Sequence, residues 1–132
     1  RIGYGVGNAD FVKALDPARP PFNTSTVAHA AAIAALDDQA FIQTCRKKNR
    51  EGLEQFYSFC KEYNLTYYPS QANFILIDFK RNGDEIFQYL LQHGYIVRSG
   101  VPLGFPTAIR ITVGNKEENS EIIKCLTDLV QD

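Results

Sequence analysis

From Gly94 to Gly114 the chain reads G-Y-I-V-R-S-G-V-P-L-G-F-P-T-A-I-R-I-T-V-G, and no other stretch limits the possible folds as tightly. Two β-branched runs, Tyr95-Ile96-Val97 and Ile109 to Val113, read as strands joined by a loop rich in Pro and Gly. Each run brings one arginine. Arg98 stands at the exit of the first, and Arg110 lies inside the second, where alternation sends Ile109 and Ile111 to the opposite side of the sheet. A guanidinium stays protonated at any working pH and offers a rigid fork of donors, so one rooted in a strand suits a carboxylate or a phosphate. A strand arginine also often lies on a solvated face or pairs with a nearby acid. Neither 95–98 nor 107–114 holds an acid, and the loop V-P-L-G-F-P-T offers only apolar and small groups. The two arginines together therefore point to a pocket for an anionic ligand.

The rest of the chain sets the frame for that pair. Its 132 residues suit a single domain with a real core, and 45% hydrophobic with 22% charged residues is ordinary globular composition. A formal net charge of -1 argues against a general nucleic-acid binder. No apolar run is long enough to span a bilayer and no signal peptide opens the chain. Cys45, Cys60 and Cys125 are odd in number and widely spaced in helical patterns, which reads as buried thiols of a reducing, cytoplasmic compartment. There is no methionine and the chain opens R-I-G-Y-G-V-G, so it is expected to be a piece of a longer protein.

Residues 1–8 alternate Ile2, Tyr4 and Val6 with glycine, as a strand approached closely by a backbone or ligand would. Asp10 to Leu15 reads as a short helix, and P-A-R-P-P-F-N-T-S as a non-helical linker. Asn23, Thr24 or Ser25 caps an alanine-rich helix, broken at Asp37 and Asp38. The next helix should bury Phe41, Ile42, Cys45, Leu53, Phe56, Cys60 and Tyr63 on one face. Its basic group Arg46, Lys47, Lys48 and Arg50 reads as a solvated face rather than a nucleic-acid patch. Leu65–Tyr68 and Asn73–Phe79 read as two strands about the turn Pro69-Ser70-Gln71. A helix opened by Gly83 or Asp84 and closed by Gly94 should turn Ile86, Phe87, Leu90 and Leu91 inward. Asn115 and Glu118 form a capping box for a last helix with Ile122, Leu126, Leu129 and Val130 on its core face. The order implies an α+β layer, a small sheet with helices on one face. His29 and His93 are isolated and read as structural. Metal-ligand clusters, Ser/His/Asp sets, phosphate loops and paired carboxylates are not found.

The run I-V-R-S-G-x-x-L-G-F-P-T-x-I-R-I-T-V-G, with R-I-G-Y-G, R-P-P-F-N-T-S and P-S-Q-A-N-F-I-L-I-D-F, resembles the C-terminal third of the histidinol-phosphate aminotransferases. These are pyridoxal-phosphate enzymes of the aspartate-aminotransferase fold, fold-type I, active in histidine biosynthesis. The resemblance implies a small C-terminal domain with a mixed sheet over residues 23–132, preceded at 1–22 by the tail end of a large cofactor-binding domain and a linker. It matches Arg1 to the arginine that grips the cofactor phosphate. It matches Arg110 to the arginine that holds the substrate's α-carboxylate or the phosphate of histidinol phosphate, and Arg98 to a second arginine on the substrate phosphate. No catalytic residue is expected here, because the Schiff-base lysine of the family lies upstream of the matched region, so the piece alone is expected to be inactive. The implied partners are small anionic amino-acid and phosphate substrates, 2-oxoglutarate among them, and a second copy in a homodimer. Another fold-type I enzyme, such as an aromatic-amino-acid transaminase, is the nearest alternative. From a different class, a free-standing anion-binding regulatory module would also suit two arginines without catalytic side chains.

Overall fold

In the computed structural model the described residues are 2–131, so Arg1 and the role matched to it lie outside them. The chain divides into two compact units, Arg1–Thr44 and Cys45–Asp132.

In the first unit, helix α1 (Ala9–Leu15) is capped by Asn8, whose side chain accepts from the Asp10 amide at 2.9 Å. One 3₁₀ turn follows at Asp16–Ala18, within a segment expected to be free of helix. Pro17 is tolerated there because the first turn of a helix needs no amide from it. Helix α2 (Thr26–Asp37) starts at Ser25, the third of the expected caps, which accepts from the Ala28 amide at 3.2 Å. Residues 2–8 form no strand, contrary to their alternating pattern. Alternation alone cannot make one, since a strand needs a ladder partner.

Helix α3 (Gln39–Glu62) begins where Asp38 accepts from the Phe41 amide at 3.0 Å. Its buried positions are Gly52, Leu53, Phe56, Tyr57, Phe59 and Cys60. Phe41, Ile42 and Cys45 were expected on that face and are exposed. The cause is length: 24 residues of helix run about 36 Å, whereas the five-residue strands they could cover run about 17 Å.

The second unit is built on a four-stranded sheet, order β1-β2-β4-β3, from β1 (Thr66–Tyr68), β2 (Phe74–Asp78), β3 (Arg98–Ser99) and β4 (Ala108–Thr112). All three pairings are antiparallel, so the α+β class stands while the sheet is antiparallel rather than mixed. The helices α3, α4 (Gly83–Gln92) and α5 (Lys116–Gln131) lie on one face. Leu53 and Phe56, Ile86 and Leu90, and Ile122, Leu126 and Leu129 join Ile75, Ile77, Ile109 and Ile111 in one buried cluster. Each fully buried isoleucine there contributes about 1.5–3 kcal/mol.

Helix ends follow the sequence closely. Asn82 caps α4 one residue before the expected start, accepting from the Asp84 amide at 2.9 Å, and Gly94 closes it at φ 87°. Leu91, expected inward, is exposed because the buried row is Gly83, Ile86 and Leu90. The Asn115–Glu118 box is reciprocal, each side chain accepting from the other residue's amide at 2.8 Å. The run Tyr95-Ile96-Val97 is not a strand, and pairing begins only at Arg98. The Tyr95 amide is already donated to Leu90 O at 2.9 Å in closing α4, and Ile96 is 86% exposed.

Candidate functional site

Because Ile109 and Ile111 anchor β4 on the helices, Arg110 between them must point to the other face. Register then fixes its neighbours. Arg110 is directly opposite Arg98 on β3 and opposite Leu76 on β2, and Leu76 is opposite Tyr68 on β1. Directly paired residues share a face, so Tyr68, Leu76, Arg110 and Arg98 form one row across the side of the sheet away from α4, α5 and the buried part of α3. Phe74 lies one step along on the same face, with Arg110 Cζ 4.9 Å from its ring centroid. Arg110 is half-buried and Arg98 exposed.

Nothing acidic neutralises this pair among the described residues, where the ion pairs are Arg19–Asp16 and Lys47–Glu51. Asp78 shares the face, but its Oδ1 accepts from the Lys80 amide at 2.8 Å. Two cations opposed across a strand pair repel, and an anion bridging both would relieve that repulsion. This is the chemistry the row can perform: two-point capture of a carboxylate or phosphate.

The connection between the arginines is tightly built. Gly100 donates to Ala108 O at 2.8 Å and accepts from the Phe105 and Leu103 amides at 3.0 and 2.8 Å. A side chain at Gly100 would collide with the carbonyls of Phe105 and Ala108, so only glycine fits. Gly104, at φ 82°, ends the 3₁₀ turn Val101–Leu103. Phe105 then meets Tyr68 edge-on, ring centroids 5.5 Å apart, which sets an exposed aromatic pair near one end of the row.

Asn119 is a second fixed point that the sequence pattern did not single out. Buried in α5, it accepts from the Gly114 amide at 2.9 Å and donates to Gly114 O and Gln55 Oε1 at 3.2 and 3.0 Å. These bonds tie the end of β4 to α3 and α5. Phe74 was also missed as a site residue, having been read only as part of an apolar strand. Its signal was its place two residues before Leu76 in a strand whose other face is Ile75 and Ile77.

The two histidines make local contacts. His29 Nε2 is 2.5 Å from Thr24 Oγ1, and His93 Nδ1 is 2.8 Å from Tyr89 O at the end of α4. Among the described residues no three His, Cys, Asp or Glu groups converge as metal ligands, and no helix is long and apolar enough to cross a membrane.

The fold and the arginine row stand beside a direct match to the class I and II aminotransferases. The chain belongs to that family, whose model matches residues 1–126. Over 132 residues it is 62% identical to the histidinol-phosphate aminotransferase of Geobacillus sp. (strain WCH70), covering 100% of this chain and 36% of that protein. Its identity to the Bacillus subtilis (strain 168) histidinol-phosphate aminotransferase is 57% over 130 residues, 98% of this chain and 36% of that one. Among solved structures, the histidinol-phosphate aminotransferase of Sinorhizobium meliloti in complex with pyridoxal-5'-phosphate superposes with a TM-score of 0.73 at 26% identity. That match covers 92% of this chain and 34% of the other. The chain thus spans 36% of the length of the curated relatives it matches.

Proposed function

We propose that this chain is the C-terminal part of a pyridoxal-phosphate-dependent transaminase that moves an amino group between L-histidinol phosphate and 2-oxoglutarate. The observation that carries the reading is the Arg98–Arg110 opposition on the sheet face away from α4 and α5, unneutralised by any described carboxylate. The names of its 62% and 57% identical relatives support the choice of substrate.

In this reading Arg110 holds the α-carboxylate of an amino acid, or the phosphate of histidinol phosphate when that group takes the same place. Arg98 provides a second hold on the phosphate. Both half-reactions use one pocket, so it must accept two carboxylates in one and a phosphate dianion in the other. Permanently charged forks serve both, because neither the charge nor the planar donor geometry depends on which acid arrives. The cationic row fits the anionic groups such an enzyme handles, and the one residue assigned to the cofactor's own phosphate, Arg1, lies outside the described residues. Pyridoxal phosphate, when bound, supplies the electron sink that side chains lack.

The proposal extends to the rest of the protein. Residues 1–22 belong to the tail of a large cofactor-binding domain and its linker, and residues 23–132 to the small domain. The active species is a cytoplasmic homodimer, and this chain by itself does not transaminate. The test is a donor comparison in the full-length protein with 2-oxoglutarate as acceptor. Histidinol phosphate should be turned over with much the higher kcat/KM, and a marked preference for phenylalanine would overturn the assignment in favour of an aromatic transaminase.

A further inference from the structure

We propose that Phe74 is a positioning residue for Arg110, its ring holding the guanidinium ready for an acidic group. The inference rests on the transaminase reading above. Phe74 and Arg110 are on neighbouring strands and the same face, with Phe74 opposite Thr112 and Leu76 opposite Arg110. The guanidinium carbon is 4.9 Å from the ring centroid, within the range where a cation is attracted to the ring's negative face. On the neighbouring strand at its other side, Arg110 is paired in register with Arg98. Repulsion from β3 and attraction from β2 therefore act in the same direction and draw Arg110 onto the ring.

The kind of restraint matters as much as its strength. A carboxylate partner would fix Arg110 by occupying its N–H donors, and any incoming anion would have to displace it. A ring engages only the face of the guanidinium and leaves the donors along its edge open to a ligand. Phe74 thus removes rotamer freedom before binding without competing for the fork. That preorganisation should appear as affinity.

The test uses the full-length protein loaded with pyridoxal phosphate, in five forms: wild type, Phe74→Leu, Phe74→Tyr, Arg110→Gln and the double variant Phe74→Leu/Arg110→Gln. Phe74→Leu keeps an apolar strand residue and removes the aromatic face. It should weaken inorganic phosphate binding in calorimetry and raise the KM of the anionic donor by about two- to thirtyfold, with kcat much less affected. Phe74→Tyr keeps the face and should restore both values. Introduced into Arg110→Gln, Phe74→Leu should cause no further loss, because nothing remains for the ring to hold. The inference is overturned if Phe74→Leu binds phosphate as the wild type does, if Phe74→Tyr fails to rescue, or if the loss is equal in the Arg110→Gln background. Failure of the transaminase reading shows separately, as a wild type that turns over no anionic amino donor while the calorimetric comparison still reads the Phe74–Arg110 coupling.

Discussion

Arg98 stands directly opposite Arg110 across the β3–β4 pair, with its guanidinium unpaired by any described acid. Two like charges at one register position are a stability defect in the absence of ligand. Replacing exposed Arg98 with threonine, a good strand former, should therefore raise the stability of the ligand-free protein by about 0.2–1 kcal/mol. The gain should shrink in high salt, which screens an exposed charge. Added phosphate should narrow or reverse the order, because the wild type, with both holds, binds it more tightly and gains more stability from it. Thermal unfolding with and without phosphate checks this, and an Arg98→Thr protein that melts earlier than wild type without any anion would count against it.

The buried Asn119 should prove as important to stability as an apolar core residue. Asn119→Ala leaves the Gly114 amide and the Gln55 side chain without the partner they now share. Three hydrogen bonds are lost with this buried side chain, each contributing about 0.5–1.5 kcal/mol, so the urea midpoint should fall clearly. An unchanged midpoint would mean that water replaces the amide at no cost.

Much of this was legible in the sequence, for identifiable reasons. Ser25, Asn115 and Glu118 were found because capping is local chemistry within three or four residues. Ile109 and Ile111 were found because strand alternation is strict. Phe41, Ile42 and Cys45 were misplaced because periodicity describes which face of a helix is apolar, not how far the surface it covers extends. Tyr95-Ile96-Val97 failed as a strand because closing α4 claimed the Tyr95 amide. At the site, both arginines were visible as residue types. That they stand opposite one another, with Phe74 beneath one of them, depends on register across three strands, which a single sequence does not encode locally.

The three cysteines should differ sharply in reactivity, although the sequence grouped them as buried. Cys45 is exposed, Cys60 is fully buried with its thiol pushed up to about 12 by that burial, and burial also raises the thiol of Cys125. A thiol reagent at mildly alkaline pH should label Cys45 rapidly and the other two only on unfolding. Peptide mapping after brief labelling would show this, and early modification of Cys60 would contradict it.

Cys60 also carries a pH dependence of known sign. Its folded value is raised from 9.0 to about 12, so the folded state retains a proton that the unfolded chain releases. Its stabilising contribution is complete below pH 9 and declines as pH rises toward 12. Denaturant midpoints for wild type and Cys60→Ala should converge over that range, and midpoints that stay parallel would argue against a buried neutral thiol.

The most direct measurement is kcat/KM for histidinol phosphate with 2-oxoglutarate in the full-length protein, comparing wild type with Arg98→Gln and Arg110→Gln. If the opposed pair grips the anionic groups of the substrate, each substitution removes a charge-assisted contact and should lower kcat/KM by about ten- to 150-fold. Wild-type kcat/KM in both variants would contradict the account.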